Sequence, residues 1–162
     1  MDKSKFNLPT LLAIAAVVYV VFGAQIKEKL GDFDLGKLVP SAGSSEVFPD
    51  KPTDPAILTA AQNVSNELKN ADSNDKLMLA RLFREQAKLI ASDSGVIQTN
   101  ADIRRANGLI GKVANVQIKG KYSNLAKVLN ESTKAVLGDD PVAIDRSKAS
   151  ALFNGFSWAA RQ

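Results

Sequence analysis

The side chains that most often carry acid–base and metal chemistry are missing from this chain. Its 162 residues include no histidine and no cysteine. Ser-His and Cys-His catalysis, disulfides and zinc sites of the Cys/His type are therefore excluded. Calcium would need a loop of spaced acids, whereas Asp139 and Asp140 form only a pair beside a turn, where helix-end chemistry is expected. We expect no catalytic residue, no metal site and no cofactor.

Glu85, Asp93 and Thr99 are the nearest approach to an acid-catalysis pattern. They follow the acid, aspartate and threonine order of phage lysozymes. A general acid needs a pocket that raises its pKa, and nothing around Glu85 predicts one. Glu85 falls in mid-helix beside Arg84 and Lys88, so we expect a salt-bridged surface role and no enzymatic activity.

Gly108, Gly111 and Lys112 resemble the end of a phosphate-binding loop. Such a loop has four residues between its glycines and a serine or threonine after its lysine, whereas this chain has two residues and Val113. The segment also falls within a helical period. We expect the two glycines to let helices approach closely or to bend the helix.

Basic side chains outnumber acidic ones between Thr99 and Leu137. The only acidic residues in this segment are Asp102 and Glu131. The residues after Pro52 carry the whole net charge of +4. Such a face would attract nucleic acid, anionic lipid headgroups or an acidic partner, and the alternative is an ordinary solvated bundle face. Tyr122 is the only aromatic residue nearby, so a base-stacking platform is lacking. The candidate anion-binding face comprises Arg104, Arg105, Lys112, Lys119, Lys121, Lys127 and Lys134.

The longest apolar stretch, Phe6 to Ile26, carries no charged side chain. A helix of that length rises about 30 Å, which matches the hydrocarbon thickness of a bilayer. We therefore predict a single transmembrane anchor at residues 6–26, preceded by a basic tail at residues 1–5. Its apolar side chains include Leu8, Leu11, Leu12, Ile14, Val17, Val18, Tyr19, Val20, Val21 and Phe22.

A cleavable secretory signal is the alternative to a retained anchor. Lys3 and Lys5 would form its basic region, and Leu11 to Phe22 its apolar region. A cut after Ala24 would place a bulky phenylalanine three residues upstream, although a cut after Gly23 stays open. We favour the anchor. The flanking lysines give the positive-inside rule no clear direction, but a short basic tail is typical of signal anchors, so we expect the bundle on the opposite side of the membrane from the tail.

Residues 27–52 are predicted to be a linker rich in glycine, proline and serine. Its glycines and prolines, from Gly31 to Pro52, interrupt any helical or strand period. Its apolar side chains would dock on a partner, on the membrane surface or on the chain's own domain, and we favour the last. They are Phe33, Leu35, Leu38, Val39, Val47 and Phe48.

From Thr53 onward the apolar residues repeat with a helical period, which predicts an all-α fold. Asp54 and Pro55 suit a helix start, Thr99 with Asp102 forms an imperfect capping box, and Gly138 suits a helix end. In the second helix, Arg81 is expected outside the apolar stripe. The domain at residues 53–162 is thus a compact bundle of about five helices, predicted at 53–71, 74–92, 99–119, 122–137 and from 144 or 145 to 162.

Three segments carry a family resemblance: TNADIRRANGLIG from Thr99, KGKYSNLAKVLNE from Lys119 and FSWAARQ from Phe156. Together they resemble a family of poorly characterised helical proteins found in bacteriophage genomes and in some aquatic bacteria. The resemblance covers residues 75–162 and excludes the predicted anchor. It brings no catalytic motif, and it implies a component of a virion or envelope rather than an enzyme.

These observations predict a membrane-anchored structural protein that acts as a multimer. As a bacteriophage virion component it would join membrane to capsid or take part in tail or ejection assembly, in the virion membrane or the bacterial inner membrane. Its partners would be the lipid bilayer, further copies of itself and other structural proteins. The alternatives are a membrane-tethered module that binds nucleic acid or another anionic polymer, and a phage lysis protein.

Overall fold

The computed structural model describes residues 47–92, 97–117, 122–139 and 143–162. Its helices form a compact bundle, which confirms the all-α prediction for this domain. The predicted anchor and all of the linker before Val47 lie outside the described residues. The five helices are α1 (Pro55–Leu68), α2 (Ser73–Ala91), α3 (Asn100–Gln117), α4 (Leu125–Leu137) and α5 (Arg146–Ala160).

None of these five helices combines the length and the apolar character that crossing a bilayer requires.

Aspartate side chains begin three of the helices. The Asp54 carboxylate accepts hydrogen bonds at 2.8 and 3.2 Å from the backbone N–H groups two and three residues further on. Asp72 accepts two such bonds at 2.9 Å, and Asp145 accepts one at 3.0 Å from the third residue after it. Each bond satisfies a backbone donor that the first helical turn leaves without a partner. The cap at Asp54 confirms the sequence prediction, and Asp72 explains why α2 begins at Ser73 and not at Asn74.

The predicted capping box at the start of α3 is present. The Asp102 carboxylate accepts hydrogen bonds from the backbone N–H groups of Gln98 and Thr99 at 2.9 and 3.0 Å, and from the Thr99 hydroxyl at 3.1 Å. Thr99 also forms an isolated antiparallel bridge with Ala143, and the Ile144 N–H donates to the Gln98 carbonyl at 3.3 Å. The start of α3 is thereby tied to the segment that leads into α5.

Two predicted helix ends are corrected by the structure. α1 ends at Leu68 and not at Ala71, whose N–H instead closes a turn on the Leu68 carbonyl at 2.9 Å. α4 begins at Leu125 and not at Tyr122, because residues 122–124 form a turn closed by a 3.0 Å bond from the Leu125 N–H to the Tyr122 carbonyl. The far end of α4 is as predicted: Gly138 follows it with φ 85°, a conformation that favours glycine.

The largest interface of the bundle lies between α2 and α5. Three fully buried rings meet there: Phe83 of α2 lies 6.4 Å from Phe153 and 5.7 Å from Phe156 of α5, and the latter two are 5.3 Å apart between centroids. Two serines of α5 also cross the interface. Ser157 donates to the Ala80 carbonyl at 2.6 Å, and Ser150 donates to the Ala87 carbonyl at 3.0 Å. α2 and α5 therefore form the centre of the core.

Arg81 is buried, at 7% exposure, which corrects its predicted place outside the apolar stripe. All five residues from Leu79 to Phe83 are buried, so α2 is covered over more than one face at this turn. An arginine stem is apolar and packs well against such surroundings. The periodicity of α2 identifies the side that is buried most, but it does not show how far the neighbouring elements wrap around it.

Phe48, near the start of the described residues, packs against the bundle. The Arg84 and Arg161 guanidinium groups lie 4.7 and 4.4 Å from the centre of its ring, in cation–π contact. Arg84 also donates to the Val47 carbonyl at 3.0 Å, although the Val47 side chain is 79% exposed. Phe48 thus packs on the chain's own domain, whereas the other apolar linker residues, from Phe33 to Val39, fall outside the described residues.

Candidate functional site

The described residues of the predicted anion-binding face lie on α3 and α4, which run antiparallel. The Asn100 side chain at the start of α3 donates to the carbonyl of Leu137 at the end of α4, at 3.3 Å. Lys119 and Lys121 lie outside the described residues. Among the others, Arg104 is half-buried, and the side chains on the surface are Arg105, Lys112, Lys127 and Lys134.

Three of these surface cations pair with acids of their own neighbourhood. Arg105 lies 3.6 Å from Asp102 and Lys127 lies 3.9 Å from Glu131. Lys134 lies 3.0 Å from Asp139, so this acid serves helix-end chemistry as predicted. Ion pairs between exposed side chains contribute only about 0–1 kcal/mol, because solvent screens them. The paired cations therefore remain able to exchange partners.

The glycines of the apparent phosphate-binding motif lie inside α3, and one of them brings two helices together. An added Cβ at Gly111 would lie 2.6 Å from the Cβ of Ala126 at the start of α4, too close for two carbon atoms. An added Cβ at Gly108 would meet nothing within 4 Å. The predicted close approach of helices is therefore confirmed at Gly111 and absent at Gly108.

Glu85 forms the surface ion pairs expected of it. Its carboxylate lies 3.3 Å from the Arg84 guanidinium and 2.9 Å from the Lys88 ammonium. The Thr99 hydroxyl is engaged in the cap of α3, and Asp93 lies outside the described residues. Glu85 and Thr99 thus have helix-surface and helix-cap roles.

Polar side chains cross the interface between α3 and α4. The Asn107 side chain donates to the side-chain amide oxygen of Asn130 at 3.2 Å and to the Thr133 hydroxyl at 3.0 Å, and the Thr133 hydroxyl donates to the backbone carbonyl of Leu129 at 2.7 Å. The amide oxygens of Asn100 and Asn107 are buried, and neither has a hydrogen-bond partner within the part of the chain that the structure describes. No charge pattern or spacing in the sequence predicts this polar interface.

An open groove of about 670 Å³ separates α1 from α4. Small and polar side chains line it, among them Ala60, Asn63 and Glu67 of α1 and Glu131, Ser132 and Ala135 of α4. Among the described residues, the two charged side chains on its walls are both acidic, although the chain carries a net charge of +4. The two helices that form this groove are separated by more than fifty residues in the chain. Sequence periodicity does not predict that they pack side by side, so it does not predict the groove.

Tyr122 connects the turn before α4 to the start of α2. Its hydroxyl donates to the Asp75 carboxylate at 2.8 Å. Burial raises the pKa of Asp75, the hydrogen bond from Tyr122 opposes this, and the nearby charge of Asp72 adds to the rise. Burial is also the first cause that raises the pKa of Tyr122 above its usual value of 10.0, followed by the hydrogen bond to Asp75.

These shifts predict how stability depends on pH. The contribution of Asp75 is fully present below its ordinary pKa of 3.8 and is lost as the pH rises through its higher folded pKa, because the folded state holds the proton more tightly. The contribution of Tyr122 is likewise present below pH 10.0 and is lost as the pH rises above it. Both shifts therefore lower stability as the pH rises, each in its own range.

Replacing Tyr122 by phenylalanine is expected to lower the free energy of unfolding by about 0.5–1.5 kcal/mol at neutral pH, because the hydrogen bond to Asp75 is lost. Above pH 10.0 the stability of the variant should also fall less steeply with pH than that of the wild type. Urea unfolding followed by circular dichroism between pH 6 and 11 measures both effects. Asp75→Asn keeps a hydrogen-bond acceptor and is the matched control. Equal alkaline slopes in wild type and Tyr122→Phe would contradict the assignment.

Comparisons of the chain with protein-family models, with curated proteins and with solved structures found no match.

Proposed function

We propose that this chain is a membrane-anchored, non-enzymatic structural protein that acts as a multimer. The proposal rests on one observation: the same chain contains an uncharged apolar stretch, residues 6–26, and an all-helical bundle. A stretch of that length is sufficient for one bilayer-spanning helix. A single span that leads into a helical body suits a protein that links a membrane to protein neighbours.

The contacts of Phe48 support this proposal. Two arginines contact its ring, Arg84 of α2 and Arg161 directly after α5, so the linker meets the bundle at a defined point. A defined junction at Phe48 favours repeated contacts between neighbouring copies.

The resemblance of residues 75–162 to helical proteins of bacteriophages and of some aquatic bacteria supports a more specific location. In this proposal the chain is a component of a phage particle or of a phage-modified envelope. It would tie an internal membrane to the protein shell, or it would enter the host membrane as part of a tail or ejection apparatus.

Two measurements on the full-length chain test the proposal. In membrane fractions, the chain should resist extraction at alkaline pH, and deleting residues 6–26 should release it. In mild detergent, sedimentation equilibrium should show a defined multimer, which chemical crosslinking should capture. A strictly monomeric detergent complex without a crosslinked partner would overturn multimeric action, and alkaline release of the intact chain would overturn the anchor.

The proposed location has a separate test. Quantitative mass spectrometry of purified particles should find the chain at a fixed copy number per particle. If the chain is absent from particles and present in host membranes, the virion assignment is wrong while membrane anchoring stands.

A further inference from the structure

The groove between α1 and α4 has the size and composition of a binding surface. Its volume of about 670 Å³ lies within the range of ligand sites, and it is partly open to solvent. Small side chains such as Ala60 and Ala135 are part of its lining. A groove that is bounded by two helices in this way leaves room for side chains of a third helix.

Two polar groups in the groove lack partners among the described residues. Ser132 is only 3% exposed, and its hydroxyl has no hydrogen-bond partner there. A buried polar group without a partner costs about 1–3 kcal/mol, so an occupant of the groove that supplies a partner for this hydroxyl would recover that cost. The half-buried carboxylate of Glu67 makes no ion pair within the described part of the chain.

The charge of the groove indicates the chemistry of its occupant. Glu67 and Glu131 give it two carboxylates and no described lysine or arginine lines it. Glu131 is exposed and its contact with Lys127 is long, at 3.9 Å, so an incoming cation can replace that lysine. Ammonium or guanidinium groups are therefore the complement of this surface.

The same chain carries a complementary cationic surface. Arg105 and Lys112 are seven residues apart on α3, so they lie on one face of the helix, two turns apart. Both are exposed, and Arg105 makes only a 3.6 Å contact with Asp102. α3 packs against the opposite side of α4 from the one that lines the groove, as its bonds to Asn130 and Thr133 show.

We propose that the groove between α1 and α4 binds the Arg105 and Lys112 face of α3 from a second copy of the chain. The inference rests on the proposed multimeric function and names its contact surface. The two surfaces differ, so the contact is head-to-tail, and each bound copy offers a free groove or a free cationic face to the next. Repetition of this contact closes a ring or builds an open row of copies.

Charge reversal on the full-length chain in mild detergent tests this contact. The groove variant is Glu67→Lys with Glu131→Lys, and the face variant is Arg105→Glu with Lys112→Glu. Each alone should associate at least about tenfold more weakly than wild type in sedimentation velocity, because like charges then meet. An equimolar mixture of the two should regain association, because the intact face of one variant meets the intact groove of the other and the two reversed surfaces also carry opposite charges.

Two controls separate this contact from general effects. Lys51→Glu with Lys148→Glu makes the same change in net charge as the face variant at exposed positions elsewhere, and it should associate as wild type does. Ser132→Ala removes the unpartnered hydroxyl, so the thermal midpoint of the monomer should hold or rise while association weakens. If Ser132 had only a structural role, its replacement would not weaken association while the thermal midpoint held or rose.

The outcomes distinguish this inference from the proposed function. A monomeric wild type would overturn both. A multimeric wild type whose groove and face variants associate equally well would overturn the head-to-tail contact and leave multimeric action standing. A mixture of the two variants that forms no dimer would show that these two surfaces do not bind each other.

Discussion

Phe153→Ala is expected to lower the free energy of unfolding by about 3–5 kcal/mol, the usual cost of removing a fully buried aromatic ring. Phe153 is 0% exposed and lies at the centre of the interface between α2 and α5. Its ring contacts those of Phe83 and Phe156 in tilted and edge-on geometry, with centroids 6.4 and 5.3 Å away. Truncation would leave a cavity between two helices and would remove both ring contacts.

The size of this effect matters because domains of this kind are stabilised by only about 5–15 kcal/mol in total. Urea unfolding at neutral pH, followed by circular dichroism, measures the change. Val47→Ala, at a side chain that is 79% exposed, is the control and should stay within about 0.5 kcal/mol of wild type. A loss below about 1 kcal/mol for Phe153→Ala would contradict the placement of this ring in the core.

Gly111→Ala and Gly108→Ala are expected to have opposite effects, although both replace a glycine within α3. An alanine at Gly111 would bring its Cβ to 2.6 Å from the Ala126 Cβ and 3.1 Å from the Ala126 backbone, so the helices must move apart. We expect a loss of about 1–3 kcal/mol. At Gly108 there is open space, and alanine should stabilise the helix by about 0.5–1 kcal/mol.

This pair tests the packing of α3 on α4 without changing charge or polarity. Thermal and urea unfolding of the two variants and the wild type provide the comparison, and each glycine serves as the control for the other. The double variant Gly111→Ala with Ala126→Gly should recover most of the packing loss, because it removes the Cβ that is struck. Stabilisation by both single variants would show that α3 and α4 do not approach as closely as the structure has them.

The sequence alone predicted the helices because helix formation depends on neighbours three and four residues away. The recurrence of apolar side chains, the cap at Asp54, the box of Thr99 with Asp102 and the helix end at Gly138 all act over a few residues. The absence of histidine and cysteine likewise limits the available chemistry through composition alone. The helix ends that differ from prediction, at Leu68 and Leu125, adjoin turns that the local pattern does not separate from helix.

The groove between α1 and α4 could not be predicted from the sequence, because it depends on contacts between residues far apart in the chain. The open groove exists because α1 and α4 pack side by side with small residues between them, and periodicity does not say which helices become neighbours. The packing of distant elements also explains three other features. They are the burial of Arg81, the bond from Tyr122 to Asp75 and the contact of Gly111 with Ala126.

The sequence by itself thus determined the class of fold, the helices and the uncharged stretch at residues 6–26, since each follows from composition and short-range spacing. Only the tertiary structure decided that Glu67 and Glu131, from helices distant in the chain, line one groove. It also decided that Ser132 is buried there with no hydrogen-bond partner among the described residues. The physical reason is that local spacing specifies which face of a helix is buried, whereas the packing of whole helices decides which faces meet.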